Sequence, residues 1–151
     1  MQRIIPRRGD FRMRAHINPF NTPFFPFPPH PTYVDWKLHF PLHFQGDAND
    51  SRIHCNTDQY PCTYNHPVLQ PERKVDFLDV GCGYGGLLFA LSRQFSSKLI
   101  FGLEIRDKLV NYAAEKIRAY RTLYPGDYQN ISVVRANSMK HLCHYFFAGT
   151  V

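Results

Sequence analysis

Asp79-Val80-Gly81-Cys82-Gly83-Tyr84-Gly85-Gly86 lies between a short apolar, β-prone run, residues 75–80 (V-D-F-L-D-V), and residues 87–95, which read as a helix ending near Ser96-Ser97. A strand that runs into glycines and then into a helix makes a tight turn at the carboxyl edge of a parallel sheet, where ligands approach. Glycine accepts positive φ and, lacking a Cβ, lets backbone N–H groups close on a ligand at a helix N-terminus. Outward from this loop, residues 98–103 (K-L-I-F-G-L) form a second predicted strand. A long amphipathic helix follows over residues 106–123, with Val110, Ala113, Ala114, Ile117 and Tyr120 on its apolar stripe and Lys108, Asn111, Glu115 and Arg118 opposite. Pro125-Gly126-Asp127 stops that helix, residues 131–135 (I-S-V-V-R) give a third strand, and residues 139–147 begin another helix. The order β-α-β-α-β predicts parallel strands joined by right-handed crossovers, the nucleotide-binding half of a doubly wound α/β sheet.

Glu104 ends the second strand 23 positions after Gly81, close to the roughly 20-residue spacing at which an acid accepts ribose hydroxyls. An adenosine-bearing cofactor is the expectation; a glycine-rich turn without ligand and an N-cap carboxylate is the plain structural alternative. Gly81, Gly83 and Gly86 also satisfy G-x-G-x-x-G, which admits a nicotinamide or flavin dinucleotide. Asp79 before the first glycine, and the denser spacing of Gly81, Gly83 and Gly85, resemble instead the first motif of S-adenosylmethionine-dependent methyltransferases. That cofactor has no pyrophosphate, so a nearby acid faces ammonium and sulfonium charges and is favourable.

The other half of the chain follows different rules. The 151 residues suffice for one domain, with 44% hydrophobic and 20% charged residues, too apolar for wholesale disorder. No apolar run approaches the roughly 20 residues of a membrane-spanning helix. Eleven of the twelve prolines precede residue 72. Seven of them, with eight aromatic residues, lie within residues 19–44, a density that disfavours helix and central strand and predicts an extended arm burying its rings against this chain or a partner. The chain thus divides into a basic then Pro/aromatic-rich arm (1–45), a polar solvated linker (46–72) and the α/β segment (73–151). His54, Cys55, Cys62 and His66 are of metal-ligating type but lack C-x-x-C spacing, so no metal site is expected. The four cysteines read as free thiols in an intracellular setting, since the basic start has no apolar signal region behind it. The net charge of +6 points to a polyanionic partner. Arginines 3, 7, 8, 12 and 14, offset only by Asp10, suit phosphate contacts; a nuclear-targeting tail, a plain solvated tail and a mitochondrial transit segment are the alternatives.

Several segments together resemble the tRNA (guanine-N7-)-methyltransferases, in the eukaryotic form that works with a WD-repeat partner. Residues 79–88 are similar to that family's first motif and Gly102-Leu103-Glu104-Ile105-Arg106 to its second. Asn137-Ser138-Met139-Lys140-His141-Leu142 resembles the segment bracketing the adenine, Arg12-Met13-Arg14-Ala15-His16-Ile17-Asn18-Pro19 its R-x-R-A-H-x-N-P element, and Asp35-Trp36 its later D-W. The resemblance implies an S-adenosylmethionine-dependent methyltransferase of Rossmann-like fold that methylates guanine N7 in tRNA, in the nucleus or the cytoplasm. It implies that Asp79 sits near the methionine end, Gly81 and Gly83 in the backbone cradle, Glu104 on the ribose hydroxyls, Arg106 at the cofactor-side turn, Asn137 and Ser138 at the adenine, and Arg12, Arg14 and His16 on RNA. Loop capping by Asn137 and a solvated first-turn charge at Arg106 are the plain alternatives.

The family's F-P-D-P-H-F-K motif, whose aspartate is assigned the catalytic role, does not occur in the chain. No catalytic residue is therefore assigned, and the expectation is an incomplete methyltransferase fold of three parallel strands, inactive alone, with one edge of the first strand unpaired. A non-catalytic RNA- or partner-binding module with a vestigial cofactor loop is the competing class, and a dinucleotide-dependent oxidoreductase fragment comes third.

Overall fold

The computed structural model describes residues 4–47 and 49–150; Arg3, counted above in the basic arm, lies outside them. Strands β1 (Phe77–Val80), β2 (Ile100–Glu104) and β3 (Ile131–Arg135) form a parallel sheet in the order β1-β2-β3. The register sets Asp79 beside Gly102, Val80 beside Leu103 and Glu104 beside Arg135, so the loops that follow all three strands open at one edge. Helix α2 (Gly86–Gln94) connects β1 to β2, α3 (Asp107–Leu123) connects β2 to β3, and α4 (Ser138–Tyr145) follows β3. This is the α/β, Rossmann-like arrangement the sequence predicts, in partial form. The strands and the first two helices begin within two residues of their predicted starts, and α4 stops at Tyr145, before Phe147.

Side chains alternate across the sheet as the two-residue period requires. Ile100, Ile131 and Val133 point to one face and pack under Leu88 and Phe89 of α2 and Val110, Ala113, Ala114 and Ile117 of α3. Phe101, Leu103 and Val134 point to the other, where the covering layer comes from the arm: Val34, Trp36 and Phe40 join Tyr145 of α4. Trp36 meets Phe101 edge-on at 5.1 Å, and His39 does so at 5.0 Å. Phe40 and Phe101 are fully buried, each contributing roughly 1.5–3 kcal/mol of apolar transfer. Phe25, Trp36 and Phe40 of the arm thus find their surface on this chain, whereas Phe20 and Phe24 stay exposed. Nor is the arm wholly extended: 3₁₀ turns form at Arg8–Phe11 and Pro31–Tyr33, and α1 (Trp36–His39) starts where the Asp35 carboxylate accepts from Lys37 N at 3.2 Å.

Two expectations need correction. The polar stretch 46–72 is not solvated throughout, because Ile53, Cys55, Asn56, Thr57 and Cys62 are buried, the first two of them in the core with the sheet and α3. Its polar groups are paired internally: Thr57 Oγ1 donates to Asn111 Oδ1 at 2.6 Å, and Asn56 Nδ2 donates to the carbonyls of Pro26 (2.7 Å) and Arg135 (3.1 Å). For the same reason Asn111, placed on the solvent side of α3 by periodicity, is buried beneath this segment. The free edge of β1 agrees with expectation, for β2 is its one neighbour among the described residues, and Phe77 and Val80 remain partly exposed.

Candidate functional site

The turn after β1 is held by backbone bonds from Gly81 N (2.7 Å) and Cys82 N (3.0 Å) to the Leu103 carbonyl. Gly81, Gly83 and Gly85 take φ of 74°, 58° and 82°. A Cβ at Gly81 or Gly83 would meet nothing within 4 Å, so these two are glycine for conformation, and the space beside them is open. At Gly102 the reason is contact: a Cβ there would sit 2.8 Å from Cys82 Sγ and 2.9 Å from Leu88 Cδ1, so only glycine lets the loop lie down on β2.

Glu104, at the end of β2, turns its buried carboxylate into that loop. Oε1 accepts from Gly83 N at 3.1 Å and from Arg106 Nη2 at 3.1 Å; Oε2 accepts from Arg106 N at 2.9 Å and Arg106 Nε at 3.1 Å. Burial pushes the Glu104 carboxyl up, but the Arg106 side chain and the backbone donors outweigh it, so the group stays ionised below its ordinary value. Arg106 reaches back to the arm as well, with Nη1 3.4 Å from the Arg14 carbonyl oxygen. Asp79 has its carboxyl pushed up by burial alone.

These groups border a cleft of about 290 Å³, lined by Gly81, Glu104, Arg106, Asn137 and Ser138 together with Ala15, Ile17 and Pro19 of the arm. Asn137 Nδ2 donates to the Pro19 carbonyl at 2.6 Å, whereas its Oδ1 is buried without a partner. Of the residues singled out in the sequence, Gly83 joins the cleft through its bond to Glu104, and Asp79, on β1, does not line it. Arg12, Arg14 and His16 are exposed on the arm and do not line the cleft. Sequence reasoning missed that Ala15, Ile17 and Pro19 form its outer wall; their signal lay inside the R-x-R-A-H-x-N-P element, read there for its charges.

The donor set matches an adenosyl ligand. A cleft of this size is at the lower end for small ligands, roughly 300 Å³. An orphaned buried amide oxygen suits an exocyclic amine, and a buried carboxylate suits a ribose diol. All four acceptor positions of Glu104 are filled, so a diol there would have to displace Arg106 or the Gly83 amide. The metal-type residues of the 46–72 stretch go separate ways: His54 Nε2 pairs with Asp50 at 3.0 Å, Cys55 lies beside Thr57, and His66 contacts the Pro67 carbonyl. Among the described residues no three His, Cys, Asp or Glu gather to hold a metal, and no helix is long and apolar enough to cross a membrane.

A family model described as "Putative methyltransferase" matches residues 73–151. Among curated proteins, a tRNA (guanine-N(7)-)-methyltransferase of Arabidopsis thaliana is 40% identical over 146 residues, 96% of this chain and 50% of that protein. One of Zea mays is 41% identical over 142 residues (94% and 50%), and one of Bombyx mori is 40% identical over 145 (96% and 51%). The chain spans about half the length of the curated relatives it matches.

Proposed function

Because the chain belongs to the S-adenosylmethionine-dependent methyltransferase family of the tRNA (guanine-N(7)-)-methyltransferases, we propose that its cleft holds S-adenosylmethionine and that the protein methylates guanine N7 in tRNA. The observation that carries this reading is the 3.1 Å bond from Gly83 N to Glu104 Oε1, which brings the glycine loop and the acid of the second strand into one cleft. Glu104 takes the ribose hydroxyls, Asn137 Oδ1 and Ser138 the adenine, and the backbone around Gly81 and Gly83, with Asp79 behind it, the methionine end.

S-adenosylmethionine supplies the electrophilic methyl group when bound. Guanine N7 is a lone-pair nucleophile, so what the protein must add is alignment and stabilisation of the charge that develops on the purine. This chain's residues bind and orient the donor, and Arg12, Arg14 and His16 on the exposed arm meet RNA phosphates at the mouth. Charge stabilisation at the purine falls to the family's aspartate motif, so turnover by these 151 residues alone is not expected. A WD-repeat subunit is the proposed partner and the nucleus the proposed location. A dinucleotide fits less well: Glu104 occupies the Gly83 N–H, a donor that a pyrophosphate needs, and sets a negative charge there.

Calorimetric titration tests the reading. Saturable one-site binding of S-adenosylmethionine, lost in Glu104→Ala, is expected; preference for a nicotinamide dinucleotide would overturn it. Transfer of labelled methyl to tRNA, measured with and without a WD-repeat partner, tests the activity, and robust turnover by the isolated chain would refute its dependence on the aspartate motif.

A further inference from the structure

Three cations sit on aromatic rings along the face shared by α2 and α3, and no step of the proposed reaction uses them. Arg8 lies 5.0 Å from the centroid of Tyr84 in the glycine loop. Lys116 Nζ is 4.4 Å from the Phe89 centroid and 5.4 Å from that of Tyr120. Arg93 is 5.9 Å from the Tyr128 centroid. The lower rings form one connected cluster, with Phe89–Tyr120 at 4.9 Å, Tyr120–Tyr128 at 5.1 Å and Tyr120–Tyr124 at 5.7 Å; Tyr124 is 47% exposed.

From this row we propose that the α2/α3 face is a second RNA-binding surface, a track that takes the ribose-phosphate backbone from the arm past the glycine loop toward Tyr128. It rests on the reading of the substrate as RNA. Cations beside partly exposed rings are what single-stranded or looped RNA uses, phosphates meeting the cations and bases stacking on the rings; here Tyr84, Tyr120, Tyr124 and Tyr128 are at least partly open to solvent, while Phe89 is buried beneath Lys116. Helix α2 is nine residues, roughly 13 Å long, enough for more than one nucleotide step. A track serving only to stabilise the fold would neutralise its charges. Here Asp127, 3.8 Å from Arg93, is the one carboxylate within ion-pair distance of the three cations among the described residues. Arg8 stands near enough to Lys116 to add to the effect of burial in lowering its pKa, a like-charge approach that an intervening phosphate relieves. Arg8, at the upper end, belongs to the same arm as Arg12 and Arg14.

Fluorescence anisotropy with a labelled tRNA transcript and the full chain, across a salt series, tests this. Arg93→Gln combined with Lys116→Gln should raise the Kd on the order of tenfold at low salt and reduce the slope of log K against log salt by about two. S-adenosylmethionine affinity should stay unchanged, Lys116→Arg should bind as the parent does, and Tyr124→Ala should weaken binding with the slope retained. An unchanged Kd and slope in the folded double variant would overturn the proposal, as would RNA binding abolished by Arg12→Gln with Arg14→Gln alone. Full displacement of the RNA by polyglutamate with no effect of Tyr124→Ala would assign the surface to an acidic protein instead. If the parent binds cofactor but no RNA, the track falls and the cofactor reading stands. If it binds RNA through the track but no cofactor, the reverse holds.

Discussion

Glu104→Gln removes one charge from the most densely bonded side chain of the cleft and leaves its size unchanged. Glu104 is 4% exposed and accepts from four donors, three of them on Arg106. Glutamine keeps one acceptor oxygen and turns an NH₂ toward groups that can only donate. Removing one partner of a buried ion pair costs about 3–5 kcal/mol. The Arg106 side chain is 19% exposed, so water recovers part of that and about 2–3 kcal/mol remains. For a chain of this length the melting temperature should fall by about 5–10 °C at pH 7. The pH dependence has a definite sign. The folded carboxyl lies below its ordinary value of 4.5, so the stabilisation is complete above that value and lost as pH falls through the folded pKa. Thermal unfolding followed by circular dichroism from pH 7 downward should show parent and variant converging in acid. Equal melting temperatures at pH 7, or a gap that widens on acidification, would refute the reasoning.

Gly81→Ala and Gly83→Ala should each cost about 1–2 kcal/mol in urea denaturation, from backbone strain alone, since the space beside both is open. Asn137→Ala removes the bond to the Pro19 carbonyl and should speed tryptic cleavage after Arg12 and Arg14, read by mass spectrometry, without lowering the core's stability by more than about 1 kcal/mol. His39, fully buried, has its pKa lowered from 6.5 to about 3 by burial, with His54 and Arg121 adding to it. The unfolded chain therefore binds the proton first, and stability should fall as pH drops from 6.5 toward 3, by up to about 1.4 kcal/mol per pH unit. His39→Gln should flatten that limb in chemical denaturation.

What the sequence made legible was local. The glycine spacing after residues 75–80, the stripe through Val110, Ala113 and Ile117, and the β-prone run at residues 131–135 are each set by neighbours a few positions apart, and each element lies where the pattern puts it. The tertiary pairings were not legible. The polar stretch 46–72 looks solvated because composition cannot show that Thr57 will meet Asn111, or that Asn56 will bridge Pro26 and Arg135. Nothing in the sequence singles out Arg121, yet it donates to the carbonyls of Tyr128, His39 and Ile131, tying α3 to the arm and to β3. Asn130 likewise gives no signal, although it donates to Ser92, Phe95 and Lys98 and fixes the end of α2 over the sheet. In the cleft, the spacing of Gly81 and Glu104 suggested a shared ligand, and Arg106, which answers Glu104, lies only two positions on; the arm residues that wall the cleft were not legible, because they are held there by contacts about ninety residues apart.

Backbone amide shifts of the ¹⁵N-labelled chain during titration with S-adenosylmethionine examine the cleft most directly. Gly81, Gly83 and Arg106 should shift together and saturate with one dissociation constant, the Gly83 amide moving most as Glu104 exchanges its bond for ribose hydroxyls. Shifts that leave Gly81, Gly83 and Arg106 unmoved and are confined to the far end of α4, around Leu142 and Cys143, or a loop that answers only a dinucleotide, would contradict an adenosyl methyl donor held between the glycine turn and Glu104.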